Sequence, residues 1–220
     1  MDIREAIKAR HSVRQYKDIE IDPALVEKLN EEIAKCNDES GLRIQLILND
    51  PECFNTLMAH YGKFKNANNY IAIVGKKDLE DAEEKCGYYG ERLVLLAQQL
   101  GLHTCWVAGS YGKGKCRADR AAGEKILCVI SVGYGETEGV KHKSKPVSKL
   151  CDVKEEDMPV WFKNGLKAAM MAPTAINQQQ FFITLRDGEP VIRAKIGPYS
   201  KIDLGIVKYH FEAVSGHKCS

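Results

Sequence analysis

The sequence predicts an α+β protein, and three observations support that prediction. Apolar residues recur at helical spacing in several segments. Short continuous apolar runs, such as "YIAIV" and "ILCVISV", lie between those segments and are typical of buried strands. Asp187-Gly188 separates two further strand-like runs, as in a tight β-hairpin. The 220 residues are enough for one well-filled domain or two small ones.

Two helices open the chain. Asp2 and Glu5 have the spacing of a capping box, which predicts a short helix that ends near Arg10. Asp22 as N-cap and Pro23 at the first helical position predict a second helix over "PALVEKLNEEIAKC". The remaining predicted elements are, in order, strand "LRIQLIL", strand "NYIAIVGKK", helix "GYYGERLVLLAQQLG", strand "KILCVISVGYG", helix "VWFKNGLKAAMM", the hairpin around Asp187 and helix "DLGIVKYHFEAVSG".

Helix, loop and strand recur in the same order in two parts of the chain. "VEKLNEEIAKC", a loop and "IQLIL" are similar to "WFKNGLKAAMM", a loop and "FFITL". A later helix also recurs, since the segment that starts at Gly90 is similar to the one that starts at Gly205, and each has a glycine eleven residues further on. This order predicts an internal duplication. Chance recurrence of helices and strands in an α+β protein is the alternative.

Charge and hydropathy argue against several classes of protein. Lys and Arg number 32 against 30 Asp and Glu, with no long block of one sign, so neither a nucleic acid nor a membrane surface is an expected partner. The longest apolar run is far shorter than the ~20 residues of a bilayer span, and the N-terminus does not resemble a signal peptide. These features predict a cytoplasmic protein.

Eight cysteines are spread along the chain, and none forms a CxxC pair. Because no secretion signal is recognised, reduced thiols packed in the interior are favoured over a set of disulfides. The histidines and cysteines show no metal-ligand spacing, so no metal site is predicted.

Two basic elements could bind a small anion. "RHSVR" offers Arg10, Ser12 and Arg14 within five residues, which suits a phosphate through charge-assisted hydrogen bonds. Taken alone, the motif is better interpreted as a solvated basic turn. "KSK", with Lys143 and Lys145, follows a buried strand and its glycines. Two such elements together could neutralise one dianion.

The segment "MAPTAINQQQFF" is the most distinctive in the sequence. Pro173 ends the preceding helix, and Thr174, Asn177 and Gln179 then place neutral donors and acceptors before an aromatic strand. Such amides suit the edge of a flat heterocycle. A well-capped helix end is the alternative, and it is the favoured one for this loop considered alone.

Four of these segments together resemble the flavin-binding pattern of the nitroreductase family. They are "RHSVRQY" near the N-terminus, the loop "APTAINQQ", "GLHTCWVAG" after an apolar helix, and the late "KSK". The likeness spans most of the chain. It implies a nitroreductase-like fold, with a mostly antiparallel sheet flanked by helices and two similar halves in one chain.

The resemblance implies FMN as cofactor and suggests which residues contact it. Arg10, Ser12 and Arg14 would hold the phosphate and the ribityl chain, with His11 adding backbone or ring contacts. Lys143 and Lys145 would complete the phosphate clamp. Further implied contacts are the backbone amides of Ala108 and Gly109 near the flavin ring, Lys63 or Lys65 near its pyrimidine edge, and a covering loop with Pro173, Thr174, Ala175 and Asn177.

One departure from the family pattern is informative. In this family the alanine-proline loop usually follows the arginine motif in the first half of the chain, where this sequence has "CNDESG". Each half therefore keeps one element of a site that ordinarily lies at a homodimer interface. The resemblance implies a fused pseudo-dimer with one flavin site: residues 1–150 carry the phosphate motifs and residues 151–220 the covering loop. A monomeric pseudo-dimer is expected, and a further homodimer is the alternative.

The implied function is that of an FMN-dependent NAD(P)H oxidoreductase. NADH or NADPH would deliver hydride to flavin N5, and a small acceptor such as a nitroaromatic or a quinone would be reduced in the same place. No catalytic side chain is named, because the flavin supplies the chemistry. "CFNTLMAHYG" and "SYGKGKCRADRAAG" are candidate walls of the acceptor pocket, the second as a mobile lid. A non-catalytic flavin-binding protein for storage, sensing or electron relay is the alternative.

Overall fold

The computed structural model describes every residue from Met1 to Ser220. The helices are α1 (Ile3–Ala9), α2 (Pro23–Ser40), α3 (Leu57–Tyr61), α4 (Ala82–Gln99), α5 (Val147–Leu150), α6 (Val160–Ala169) and α7 (Ser200–Ser215). The strands are β1 (Arg43–Ile47), β2 (Tyr70–Lys76), β3 (His103–Val107), β4 (Glu124–Gly133), β5 (Phe181–Arg186) and β6 (Glu189–Ala194). The predicted elements occur in the predicted order, and the structure adds two short helices, α3 and α5, and a strand, β3, that the sequence analysis does not predict.

The chain forms two compact units, each assembled from several chain segments. We call them the sheet unit, which comprises Arg10–Ala82 and Leu93–Lys141, and the hairpin unit, which comprises Met1–Ala9, Glu83–Arg92 and His142–Ser220. The predicted halves, residues 1–150 and 151–220, describe an internal duplication and not these two compact units. The duplication stays a prediction.

The sheet unit is built on a four-stranded sheet with the order β1-β2-β4-β3. All three neighbouring pairs are antiparallel, which confirms the predicted strand arrangement. The first six residues of β2 are all buried, as a continuous apolar run requires when both faces of a strand are covered. Ile71 pairs with Leu46 on one side and with Ile130 on the other, so the strand lies at the centre of the sheet.

The hairpin unit contains β5 and β6, which pair antiparallel across Asp187-Gly188. Both turn residues have positive φ, 51° and 83°, as the predicted tight hairpin requires. Helices α6 and α7 pack against each other through Phe162 and Phe211, whose ring centroids are 5.6 Å apart. The chain end also joins this unit, because Ser220 exchanges backbone hydrogen bonds with β6.

Helix ends follow the local signals in the sequence. The amide of Glu5 donates to Oδ1 of Asp2 at 2.8 Å, and the amide of Asp2 donates to Oε2 of Glu5 at 2.9 Å, so the capping box is confirmed. Asp22 caps α2 by accepting from the amide of Ala24 at 2.8 Å.

The segment "CNDESG" is not the loop that the sequence comparison suggests, because α2 continues through it to Ser40. The side-chain oxygen of Asn37 accepts from the amide of Ile44 in β1 at 2.6 Å, and its side-chain nitrogen donates to the carbonyl of Ile44 at 3.0 Å. The Ser40 hydroxyl donates to the carbonyl of Cys36 at 2.6 Å, and Gly41, with φ of 72°, ends the helix. Polar residues that are typical of a loop here anchor the next strand to the helix end.

Seven of the eight cysteines are buried and Cys219 is half-buried, so the prediction of thiols packed in the interior is confirmed for the seven. No pair forms a disulfide. None of the helices has the length and the apolar surface needed to pass through a lipid bilayer.

Candidate functional site

The arginine motif, residues 10–14, is fixed by backbone hydrogen bonds within the sheet unit. The amide of Val13 donates to the carbonyl of Thr104 in β3 at 3.0 Å. On the next residue, the carbonyl of Arg14 accepts from the amide of Lys65 at 3.0 Å. The motif therefore extends the sheet structure, and its backbone is not that of a free surface turn.

Tyr16 stabilises the backbone of the motif through its hydroxyl group. Its hydroxyl donates to the carbonyl of Val13 at 2.7 Å and accepts from the hydroxyl of Ser131 at 2.7 Å. The ring is 1% exposed, and this burial raises the pKa of Tyr16 well above its usual value. The phenol thus stays protonated and keeps donating to the motif.

The charges of Arg10 and Arg14 and the hydroxyl of Ser12 all influence one side chain, Cys105 in β3. Burial raises the pKa of the Cys105 thiol, but the charges of Arg14 and Arg10 and a hydrogen bond from Ser12 act in the opposite direction. Both charges that act on this sulfur are positive. Two guanidinium groups and a hydroxyl on this fixed stretch of backbone form a donor set suited to a phosphate.

His11 and Gly139 complete the surroundings of the motif. Nδ1 of His11 is buried without a hydrogen-bond partner. Burial, followed by the charge of Arg10, lowers the pKa of this imidazole, so a neutral ring is favoured. Gly139 has φ of 78°, and a Cβ there would lie 2.8 Å from Cβ of His11. The glycine therefore lets the chain pass close to the motif.

The structure gives different settings to the remaining predicted residues of the sheet unit. Lys63 is exposed and has φ of 62°, two residues before the Lys65 backbone that pairs with the arginine motif. The ammonium group of Lys65 is engaged by Glu136 at 2.9 Å. Ala108 and Gly109 follow β3 directly, and Gly109 is exposed. Of the two lysines, Lys63 is thus the one without this ion pair.

The hairpin unit brings the "KSK" element and the "APTAIN" loop together through Gln179. The side-chain oxygen of Gln179 accepts from the amide of Lys145 at 2.7 Å. Its side-chain nitrogen donates to the carbonyl of Lys143 at 2.9 Å and to the side chain of Asn177 at 3.0 Å. Asn177 also donates to the carbonyl of Lys143 at 2.9 Å. Two segments that the sequence analysis assigns to the same site are therefore in direct contact.

The side chain of Lys145 is hydrogen-bonded to the backbone of the "APTAIN" loop. Its ammonium group donates to the carbonyl of Gln178 at 2.6 Å, whereas Lys143 is exposed. A phosphate contact by Lys145 stays a prediction, and any such contact would share the ammonium group with the loop.

The backbone of the loop is strained. Ile176, Asn177 and Gln179 have φ of 48°, 55° and 46°, and positive φ is uncommon for a β-branched residue such as Ile176. The side chain of Ile176 is 92% exposed. Asp203, in the first turn of α7, holds this conformation by accepting from the amide of Ala175 and from the side chain of Gln178, both at 2.9 Å.

Asp203 is missing from the predicted site, and Gln179 is named in the sequence analysis only as a loop amide and not among the implied flavin contacts. The amide-rich context of Gln179 is visible in the sequence, but its four hydrogen-bonded partners are not. Asp203 offers only one signal, an acidic residue in the first turn of a helix, and that signal is common.

We expect the stability of the protein to depend on pH through Asp203. Burial raises the pKa of this carboxyl to about 6, although hydrogen bonds from Gln178 and Ala175 act against the shift. The folded protein therefore binds this proton more tightly than the unfolded chain, where the pKa of Asp is about 4. The contribution is full below pH ~4 and is lost as the pH rises through ~6, which lowers the free energy of unfolding by up to about 3 kcal/mol.

Urea unfolding between pH 4 and 7 measures this dependence. Asp203→Asn should lose the part of the slope that lies between pH ~4 and ~6, while Asp38→Asn, at an exposed position in α2, should keep it. If the free energy of unfolding depends on pH in the same way for the wild type and Asp203→Asn, the prediction is wrong.

Comparison with known proteins gives this geometry a family. The family model described as "Putative TM nitroreductase" matches residues 2–215. No curated protein matches the chain. A crystal structure described as a "putative nitroreductase" from Thermotoga maritima MSB8 is similar at 23% identity and a TM-score of 0.71, over 97% of this chain and 83% of that one.

Two further structures share the fold but match a smaller part of this chain. A "putative nitroreductase in complex with FMN" from Desulfovibrio desulfuricans has 22% identity and a TM-score of 0.55, over 71% of this chain and 98% of its own. A "nitroreductase-like protein" from Streptococcus mutans has 14% identity and a TM-score of 0.57, over 69% and 97%. The α+β fold is thus nitroreductase-like, and because the family model spans nearly the whole chain, the protein belongs to the nitroreductase family.

Proposed function

We propose that the protein is an FMN-dependent oxidoreductase that uses NADH or NADPH to reduce a small electron acceptor. The observation that carries the proposal is the fixed backbone of the arginine motif, in which Ser12 pairs with Thr104 of β3 and Arg14 is hydrogen-bonded to Lys65. The family membership and the FMN in the Desulfovibrio structure support it.

The residues around the arginine motif fit the phosphate end of FMN. Arg10 and Arg14 supply positive charge, and Ser12 supplies a hydroxyl. The buried Nδ1 of His11 still lacks a partner, which a polar group of a ligand would provide. In this proposal Lys143 and Lys145 add charge to the phosphate, and Lys63 contacts the flavin pyrimidine.

The remaining proposed residues position and cover the ring. The backbone amides of Ala108 and Gly109 would donate to it, and donors of this kind stabilise an electron-rich ring. Pro173, Thr174, Ala175 and Asn177 form the covering loop, which Asp203 and Gln179 hold in shape. When bound, FMN supplies hydride and electron transfer to an acceptor such as a nitroaromatic or a quinone.

We also propose that the chain is a fused pseudo-dimer with one flavin site. Gly87 of α4 and Gly205 of α7 contact the opposite helix in equivalent ways, as they would across a two-fold axis. Gly101 and Gly216 each follow one of these helices with positive φ, 80° and 74°. The full-length Desulfovibrio and Streptococcus chains match only about two thirds of this one, which also favours a second, shorter half.

This contact favours Gly87 as the counterpart of Gly205. The sequence analysis pairs Gly205 with Gly90 instead, which lies about one helical turn after Gly87. The two halves would then differ by about one turn in the length of this helix.

Flavin titration followed by anaerobic reduction tests both proposals. We expect one FMN per chain and bleaching of the flavin absorbance by NADH or NADPH at millimolar concentration. Two flavins per chain would contradict the fused dimer. A bound flavin that neither nucleotide reduces would favour storage, sensing or relay over turnover, and failure to bind FMN would contradict the cofactor.

Replacing Arg14 with alanine should weaken FMN binding roughly 10- to 160-fold, the equivalent of about 1.5–3 kcal/mol for one charge-assisted contact. The fold should tolerate the change, because the side chain of Arg14 is exposed and only its backbone pairs with Lys65. Titration by flavin fluorescence measures the effect. Arg120→Ala, at another exposed arginine of the sheet unit, is the control, and equal affinities of both variants would contradict the phosphate contact.

A further inference from the structure

Two cysteines of the sheet unit lie side by side although they are distant in sequence. Cys53 belongs to the 3₁₀ turn Pro51–Phe54, and Cys116 belongs to the segment that the sequence predicts as a mobile lid. Their side chains interact with each other. Gly112 joins the two segments: its amide donates to the carbonyl of Cys53 at 2.7 Å, and its carbonyl accepts from the amide of Cys116 at 2.9 Å.

Polar groups face this pair inside an otherwise apolar core. The hydroxyl of Tyr70 donates to Oδ2 of Asp50 at 2.5 Å, accepts from the amide of Arg117 at 3.0 Å, and interacts with both sulfurs. Tyr70 and Asp50 are thus the titratable groups around the two thiols. Cys53 is 0% exposed and Cys116 is 5% exposed, so Cys116 is the residue of the pair that solvent reaches.

The two thiols differ in their chemistry. The hydrogen bond from Cys53 lowers the pKa of Cys116 below that of an ordinary thiol, and the neighbouring Tyr70 hydroxyl acts in the same direction. The same pairing raises the pKa of Cys53. Burial raises the pKa of Cys105 and of Cys151, which lack such a partner thiol. Cys116 therefore has the thiolate character that a nucleophilic sulfur needs, and Cys53 is placed as a second thiol.

We propose that Cys53 and Cys116 form a redox-active dithiol that a small hydroperoxide oxidises to a disulfide. The Cys116 thiolate attacks the peroxide, the O–O bond breaks, and Cys116 becomes a sulfenic acid. The Cys53 thiol then attacks the Cys116 sulfur, and the S–O bond breaks with loss of water. With hydrogen peroxide, the two thiols give up two electrons and two protons, and the peroxide becomes two water molecules.

The disulfide would tie the turn Pro51–Phe54 covalently to the segment around Gly112. Because Lys113 and Gly114 next to it are exposed, this segment is the accessible side of the pair. The dithiol needs no flavin for its reaction. Its test is therefore independent of FMN binding and of the proposed oxidoreductase activity.

Disulfide mapping of the full-length protein tests the proposal. Reduced protein is treated with one equivalent of hydrogen peroxide, the remaining thiols are blocked with N-ethylmaleimide in denaturant, and tryptic peptides are identified by mass spectrometry. We expect the Cys53–Cys116 link to be the main product and to disappear after treatment with dithiothreitol. Both cysteines recovered as maleimide adducts while other thiols are oxidised would overturn the proposal, and so would unselective links among all eight.

Serine variants separate the roles of the two sulfurs. Cys53→Ser should stop at a sulfenic acid on Cys116, which dimedone traps, and Cys116→Ser should leave Cys53 unreacted. Cys36→Ser, at another buried cysteine, should behave like the wild type. Iodoacetamide labelling of Cys116 should have a pH midpoint below the ~8.5 of an ordinary thiol, and a midpoint at or above that value would contradict the assigned nucleophile. The wild-type mapping decides the proposal even where a variant does not fold.

Discussion

Replacing His210 with alanine should lower the free energy of unfolding by about 3–5 kcal/mol, the usual cost of removing one member of a buried ion pair. His210 and Glu91 are both 0% exposed, and Nε2 of His210 lies 2.8 Å from Oε1 of Glu91. The other ring nitrogen, Nδ1, lies 3.1 Å from the carbonyl of Ala168. The pair thus links α4, α6 and α7 in the interior of the hairpin unit.

The geometry fixes one of the two protons that His210 and Glu91 share with their neighbours. A carbonyl oxygen can only accept, so Nδ1 of His210 carries a hydrogen. The contact with Glu91 then needs one more proton, either on Nε2 opposite a carboxylate or on the carboxyl group opposite a neutral ring. In both cases alanine at position 210 removes the hydrogen bond that His210 makes with a carboxyl group that water does not reach.

A double substitution provides the control. Glu91→Leu together with His210→Leu should regain much of the stability that either single change loses, because apolar side chains of similar size often replace a buried pair without loss. Urea unfolding of the four proteins gives the coupling energy. The prediction is wrong if His210→Ala unfolds within about 1 kcal/mol of the wild type, which is the range of an exposed ion pair.

Local signals explain how much of the fold could be predicted. Capping by Asp2 and Asp22, the apolar run of β2 and the Asp187-Gly188 turn each depend on residues within a few positions of each other, and all four are as predicted. The end of α2 was beyond such reasoning. Asn37 and Ser40 are typical of loops, but here they bind Ile44 and Cys36. The role of Asn37 depends on a strand that starts beyond the helix end, and Ser40 extends the helix by binding a carbonyl one turn earlier.

In the candidate site, too, residue types could be predicted from local sequence, but contacts between distant residues could not. The arginine motif and the "APTAIN" loop are recognisable because the chemistry of phosphate and heterocycle binding selects residue types. What the sequence does not reveal is which partner each side chain takes. Lys145 illustrates this, because a lysine predicted to meet a phosphate donates to the carbonyl of Gln178. Cys53 and Cys116 illustrate it too, since only the folded sheet unit brings them together.

Gly87→Ala and Gly205→Ala should each destabilise the protein by about 1–3 kcal/mol or more, since both would overpack a contact between backbones. A Cβ at Gly87 would lie 1.9 Å from the carbonyl oxygen of Ile202, and a Cβ at Gly205 would lie 1.9 Å from that of Glu84. Backbone atoms cannot rotate away as a side chain does. Helices α4 and α7 would therefore have to separate at this crossing.

The sign of this effect distinguishes packing from helix propensity. Alanine is a better helix former than glycine by about 1 kcal/mol, so propensity alone predicts stabilisation at both positions. Thermal and urea unfolding measure the net effect. Gly114→Ala is the control, because a Cβ there meets no atom within 4 Å.

The two substitutions also test the proposed two-fold relation between the helices. Gly87 opposes Ile202 and Ile206, and Gly205 opposes Glu84 and Tyr88, so each glycine meets the residues three before and one after its counterpart. Symmetric contacts predict similar losses for the two single variants. They also predict a double variant less unstable than the sum, because the first added methyl group already separates the helices. Strictly additive losses of very different size would show that the two glycines are not equivalent, and the fused-dimer proposal would lose its main structural support.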